Sequence, residues 1–250
     1  MTVILTSSTS TTGVRLTIIE NSMRISIITP TADQPTGMAL AEQWIARQTV
    51  QPDEWIVADD GEVPAALMAG QKHIVRRREH EGGRSLAGNM LAALEAVTGD
   101  LIIVIEHDDW YHPTHIETCV QRLKGGGATG SINQRYYNVQ HRACRLMKNI
   151  GSALCNTAFT ADHKKGMQRA AERAFRDGRI CVDRYFWDAL PRSYWDIHDI
   201  DTVVGIKGLP GRKGLGMGHR PDHRWTLDAE GVVLRQWVGS DADMYLELAR

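Results

Sequence analysis

An α/β fold built on a mostly parallel sheet covered by helices is what this sequence predicts, and three observations predict it. Strand-like and helix-like segments alternate from residue 24 to about 123, the rhythm of a chain that winds a parallel sheet. The helix-like segments carry apolar residues three and four apart on one face. The run Leu101–Ile105 is apolar throughout and then stops at Glu106, His107, Asp108 and Asp109, as a fully buried strand does where it meets a polar loop.

Each element follows from its local pattern. Residues 1–23 are rich in Ser and Thr with two short β-prone runs, which predicts an N-terminal extension, mobile or folded as a peripheral hairpin, with Met23 a possible internal start. From residue 24, "RISIITP", "EWIVADD", "HIVRRR" and "DLIIVIE" read as strands. "GMALAEQWIARQ", "RSLAGNMLAALEAVTG" and "PTHIETCVQRL" read as helices on the stripes Met38/Ala41/Trp44/Ile45, Leu86/Met90/Ala93/Val97 and Ile116/Val120/Leu123, which mark core rather than cofactor contacts. After "GGGATG" the pattern loosens into a strand "SINQRYYNV", a basic helix around Met167–Phe175, a helix-like "VDRYFWDAL" and a glycine-rich stretch. "RWTLDAEGVVLRQW" reads as a hairpin turning at Asp228–Gly231. Residues 24–250 are expected to form one domain, with 24–125 and 126–250 as its two halves, because no linker long enough to separate domains interrupts them.

Composition narrows the function classes. With 29 basic and 30 acidic side chains the formal charge is −1, so no global field draws nucleic acid or an anionic membrane and any such contact must be local. The cysteines Cys119, Cys144, Cys155 and Cys181 form no CxxC or Cys/His finger spacing and read as reduced core residues. No run approaches the roughly 18 apolar residues of a membrane span, and the expected location is the cytoplasm.

Chemistry is expected outside the carboxyl ends of the strands, where open α/β sheets gather their ligands. Three strand ends there are polar: Thr29, Pro30 and Thr31; Asp59, Asp60 and Gly61; and Glu106 to Asp109. The spacing Glu106-x-Asp108-Asp109 suits Mg²⁺ or Mn²⁺, which one or two carboxylates hold while substrate phosphates complete the shell. The alternative is a solvated loop whose Asp109 or Thr114 caps the next helix. His107, His112 and His115 make no familiar ligand spacing and read as local polar residues. The stretch "GIKGLPGRKGLGMGH" (205–219) lacks both the Walker and the dinucleotide pattern. It reads as a lid in which Lys207, Arg212 and Lys213 cover a diphosphate, or as a plain surface loop.

"ISIITPTADQP", "EWIVADDG", "AGNMLAALEAVTGDLIIVIEHDDWYHP" and "VDRYFWDAL" stand in the order and at about the spacings seen in family 2 glycosyltransferases of the GT-A fold, and the chain resembles that family best over residues 24 to about 125. The resemblance implies a GT-A-like fold, a Rossmann-like sheet with a smaller mixed acceptor-side region. It also implies transfer of a sugar, hexosyl or pentosyl, from a nucleotide diphosphate sugar to an acceptor hydroxyl, usually with inversion and with Mn²⁺ or Mg²⁺. It casts Thr29, Pro30 and Thr31 as the first nucleotide contact, Asp59 or Asp60 as the acid that reads base and ribose, and Arg84 and Asn89 as donor contacts. Asp108 corresponds to the second aspartate of the Asp-x-Asp motif and is the direct metal ligand. Glu106 stands where aspartate is usual, Asp109 is the third acid near the donor sugar, and His219 is a further metal ligand. The base that takes the acceptor's proton is Asp183, ahead of Asp188 and Asp199, with Val182 where the family's first acid of the pair stands; the alternative for Asp183 is a helix N-cap.

Two other readings stay open: a nucleotidyltransferase, against which "TPTADQPTGMA" after the first strand offers no Lys or Arg, and an inactive relative that only binds a nucleotide sugar. The acceptor is a glycan or a hydroxylated base in DNA. Nine Lys or Arg against three acids between Arg142 and Arg179 read either as a solvated basic face or as an anionic-acceptor surface, with Lys164 and Lys165 on it and Tyr136, Tyr137, Phe159 and Trp195 available to stack on bases.

Overall fold

Strands that are apolar on both faces must lie inside a sheet covered on both sides, and the computed structural model builds that sheet first. It describes residues 23–67, 70–148, 150–211, 214, 216 and 218–248; residues 1–22 of the expected extension lie outside them, as do Arg212 and Lys213. In chain order the elements are β1 (Ile25–Thr31), α1 (Pro35–Ala46), β2 (Glu54–Asp59), β3 (Lys72–Val75), α2 (Gly83–Ala96), β4 (Leu101–Val104), β5 (Trp110–Tyr111) and α3 (His115–Arg122). Then come β6 (Ala128–Ser131), β7 (Asn133–Asn138), β8 (Ala143–Lys148), β9 (Ala158–Thr160), α4 (Lys164–Asp177) and α5 (Val182–Ala189). The described chain closes with β10 (Trp195–His198), β11 (Val203–Lys207), β12 (Thr226–Leu227), α6 (Val232–Val238) and α7 (Ala242–Leu248).

Seven strands form one sheet in the order β10-β6-β9-β4-β1-β2-β3. Its parallel part is β3-β2-β1-β4, registered by pairs such as Ile28↔Ile56 and Ile27↔Ile103. β9 runs antiparallel between β4 and β6, so it is the one reversed strand in an otherwise parallel sheet. Its residues Ala158 and Phe159 are fully buried, and three residues carry no periodicity by which a sequence reading would find them.

Two apolar layers cover this sheet. Met38, Ala41, Trp44 and Ile45 of α1 pack with Ile27, Val57 and Ile103 on one face. Met90, Ala93 and Leu94 of α2 pack with Ile28, Ile56 and Val104 on the other, joined by Met167 of α4 and Phe186 and Trp187 of α5. Leu86 is half-buried: it packs against this cluster and also lines a cavity.

A second, five-stranded sheet has the order β12-β8-β7-β11-β5. The expected single strand "SINQRYYNV" is two strands, β6 and β7, in different sheets. The Ile132 amide donates to the His198 carbonyl at 2.7 Å, and the chain turns there from one sheet to the other. The expected hairpin at Asp228–Gly231 is corrected too. β12 is only two residues and pairs with β8, and α6 follows where a return strand was expected. The buried Asp228 carboxylate accepts the Val232, Val233 and Leu234 amides at 2.8, 3.0 and 3.1 Å, so it nucleates a helix turn; Gly231 enters it at φ 69°, a conformation glycine adopts without penalty. The expected strand "HIVRRR" ends at Val75; the Arg76 amide still donates to the Asp59 carbonyl at 2.7 Å, and its guanidinium donates to Asn89 Oδ1 at 2.8 Å.

Candidate active site

Glu106 to Asp109 follow β4 directly, and the chain then enters β5, which pairs antiparallel with β11 through Val203↔Tyr111 and Val204↔Trp110. β11 also runs beside β7, in the register Gly205↔Tyr136 and Lys207↔Asn138. This places Lys207, at the end of one sheet, against acids at the end of the other. Its Nζ donates to Asp108 Oδ2 at 2.7 Å and to Asp109 Oδ1 at 2.8 Å, and the Ile206 amide donates to Asp109 Oδ1 at 3.1 Å. Lys207 is therefore part of a strand and 6% exposed, not part of a lid. The Tyr111 hydroxyl accepts the Glu106 amide at 2.8 Å and so fixes the start of the acid loop.

The helix-capping alternative for these acids fails. α3 begins after Thr114 with no side-chain cap, and Asp109 is turned inward onto β11.

These groups border a cavity of about 440 Å³, within the size range of small-ligand pockets. Pro30, Thr31, Asn89, Glu106, Asp108, Asp183, Lys207 and His219 all line it, so eight of the expected site residues share one wall system. Seven others stand elsewhere or are not described. Thr29 is fully buried and accepts the Trp55 indole N–H at 2.9 Å, so it faces the core. Asp59 accepts the Gly61 and Ala65 amides at 2.7 and 2.8 Å, which shapes the loop after β2. Asp60 accepts Ser85 Oγ and Asn89 Nδ2 at 3.0 and 2.9 Å and supports the wall from behind. Arg84 is exposed and donates to the Phe175 carbonyl at 3.1 Å, on the side of α2 facing α4 and outside the cavity lining. Arg212 and Lys213 lie outside the described residues. Asp109, at 1% exposure, sits behind Lys207.

Burial and charge set the protonation of the wall. Burial raises the Asp108 carboxyl, but the Lys207 ammonium and His107 outweigh it and hold it at about 2. Asp109 is raised to about 6, by burial against the pull of Lys207. Glu106 is pushed up to about 8, by burial and then by the Asp109 charge, so it carries its proton at neutral pH. Burial and then Lys207 lower His219 to about 4, which leaves its ring neutral. Asp183, in the first turn of α5, accepts the Arg184 amide at 2.8 Å and is raised by burial to about 6.

Whether a divalent cation fits can be judged from these donors. Asp108 is ionised, His219 Nε2 stands 3.8 Å from Asp108 Oδ2, and Glu106 borders the same space; a hard or borderline cation accepts such oxygen and nitrogen ligands. Glu106, Asp109 and Cys155 also bring potential ligand atoms within 4.8 Å of one another. Thr31 Oγ1 and Asp109 Oδ2 are buried without a hydrogen-bond partner among the described residues, as polar atoms awaiting a ligand or water are. The residues fit the ion.

Several lining residues escaped the sequence reading. His107 lies beside Pro30, with Nδ1 3.2 Å from its carbonyl oxygen, and a Cβ at Gly37 would stand 2.9 Å from its ring, so α1 approaches it as only glycine permits. Met147, Leu154 and Cys181 also line the cavity, as does Tyr136, which the sequence offered as a stacking residue. The histidine was visible within the acid motif; Met147, Leu154 and Cys181 had no local signal, because they come from β8 and the segments before α5. Tyr137 and Phe159, expected as stacking residues, are fully buried, and Lys164 donates to the Val97 carbonyl at 3.1 Å.

Among the described residues no helix is long and apolar enough to cross a membrane. The chain is 31% identical over 123 residues to glycosyltransferase GlyG of Streptococcus pneumoniae serotype 4, a match over 46% of this chain and 39% of that protein. It is 31% identical over 106 residues to the uncharacterized glycosyltransferase YwdF of Bacillus subtilis, over 41% and 39% of the two chains. It thus spans about two fifths of the length of these curated relatives. The crystal structure of S. aureus TarS superposes with a TM-score of 0.51 at 11% identity, covering 74% of this chain and 37% of that one, a likeness of fold. Residues 26–184 match the family described as glycosyl transferase family 2, a span that contains the acid loop and Asp183. With a GT-A-like α/β fold beneath that match, the chain belongs to glycosyl transferase family 2.

Proposed function

We propose that this protein transfers a sugar from a nucleotide diphosphate sugar to an acceptor hydroxyl with inversion. The observation that carries the reading is one cavity at the strand ends lined together by an ionised Asp108, a buried Lys207 and the carboxyl group of Asp183. Pro30, Thr31 and the Asn89 amide wall the nucleotide end. Lys207 and the proton-bearing Glu106 face the diphosphate, where an ammonium and an O–H offset charge growing on the leaving group. Asp183 takes the proton of the acceptor hydroxyl as its oxygen bonds to the anomeric carbon and the bond to the diphosphate breaks. One displacement inverts that carbon.

A Mn²⁺ or Mg²⁺ ion, held by Asp108 and His219 with Glu106 beside them, supplies further Lewis-acid charge when bound. The acceptor is a glycan or a hydroxylated base in DNA. An anionic acceptor is favoured by Lys165, Arg169 and Arg173, which line a second cavity of about 760 Å³ with Tyr185 and Tyr194; such an acceptor shows steep salt dependence.

The test is calorimetric titration of UDP, GDP, ADP and CDP, with and without Mn²⁺, into wild type and Asp108→Asn. Metal-dependent binding of one nucleotide, lost in the variant, is expected. No binding of any nucleotide to the folded wild type would overturn the reading in favour of a relative without a donor site.

A further inference from the structure

We propose that Lys207 is a resident counter-cation of the pocket, so that a divalent cation binds at Asp108 together with the donor's diphosphate and only weakly by itself. This rests on the reading of the pocket as a nucleotide diphosphate sugar site and adds to it an order of assembly. The Lys207 ammonium already occupies Asp108 Oδ2 and Asp109 Oδ1. It has little freedom to leave, because β11 lies between β7 and β5 and the neighbouring Ile206 amide pins the same Asp109 oxygen. A cation arriving alone at Asp108 meets a fixed positive charge within hydrogen-bond range of the oxygen it needs. In a buried site that repulsion is large.

A diphosphate changes the balance. Its oxygens bring negative charge to both cations at once, accepting hydrogen bonds from the ammonium and completing the shell of the ion. Lys207 is then a positioning residue with two effects: it neutralises the acids in the empty pocket, and it makes metal affinity depend on donor.

A purely structural lysine would hold the two aspartates without this dependence, and Mn²⁺ binding separates the cases. Mn²⁺ alone is titrated by calorimetry into wild type, Lys207→Met and the double variant Lys207→Met/Asp109→Asn. The double variant removes one charge of each sign and keeps the experiment decisive if the single variant does not fold. Each is then titrated with Mn²⁺ in the presence of the nucleoside diphosphates above. Wild type is expected to bind Mn²⁺ about tenfold or more weakly alone than with nucleotide. The variants are expected to bind Mn²⁺ alone about tenfold or more tightly than wild type does, a gain that a further Asp108→Asn abolishes.

Variants that bind Mn²⁺ alone no more tightly than wild type would overturn the proposal, even if nucleotide binds normally. Failure of every nucleotide to bind would instead strike the donor-site reading, and this inference with it.

Discussion

Asp183→Asn isolates the proton-accepting step. Burial holds the Asp183 carboxyl at about 6 rather than at its ordinary 3.8, a differential of about 3 kcal/mol between its two protonation states. A base with that value is about nine-tenths ionised at pH 7 and about one-tenth ionised at pH 5, so wild-type kcat/KM should fall about tenfold over that interval. The amide cannot accept the proton, so the variant should lose about 10²- to 10⁴-fold in kcat at pH 7 and show no acid limb near pH 6. Nucleotide affinity, set in this reading by Pro30, Thr31 and Asn89, should stay unchanged.

The stability effect has a definite sign. A carboxyl whose folded value is raised contributes stability that is full below its unfolded value and is lost as pH rises through about 6. At pH 8 the buried charge is unfavourable, and asparagine removes it. The variant should therefore melt no lower than wild type at pH 8. Initial rates between pH 5 and 8 at saturating Mn²⁺, nucleotide calorimetry and thermal melts form the assay. A flat wild-type profile from pH 5 to 7, or a variant with more than about a third of wild-type activity, would refute the assignment.

Glu106, raised to about 8 by burial and by Asp109, contributes stability that is full below its unfolded value and lost as pH rises through about 8. Wild type should lose about 1 kcal/mol between pH 7 and 9 from this group, and Glu106→Gln should flatten the decline in thermal melts across that range. If the acceptor is a polyanion, Lys165→Glu/Arg169→Glu should raise its KM about tenfold at low salt and reduce the salt slope of kcat/KM, with nucleotide binding unaffected; equal KM values would exclude the α4 face from acceptor binding.

The half from residue 24 to about 125 was legible because its signals are local. β1, β2 and β4 are runs apolar on both faces, and α1 to α3 carry stripes at helical spacing. Side-chain direction was the first thing to escape: Thr29 alternates inward to Trp55 while Pro30 and Thr31 reach the cavity, a choice set by the sheet's packing. The half after it was harder. β9 is too short to show a period, and the stretch from Arg224 to Trp237 alternates as a strand would until the Asp228 carboxylate gathers three amides into a helix. Lys207 was visible as a cation near glycines. Its place beside Asp108 depends on the register of β11 against β5 and β7, which no window of neighbouring residues contains.

The ion cluster joins partners 99 and 98 residues apart in the chain, and this bears on how the pocket assembles as the chain folds. The parallel strands β1 to β4 can find one another early, through contacts confined to the first half of the described chain. Asp108 and Asp109 then wait, charged and uncompensated, until β11 docks, so closing that long loop comes late and is opposed by chain entropy. A nascent chain released only as far as β10 would own a nearly complete sheet and an electrostatically unfinished pocket. The pocket's charge balance arrives with a single strand.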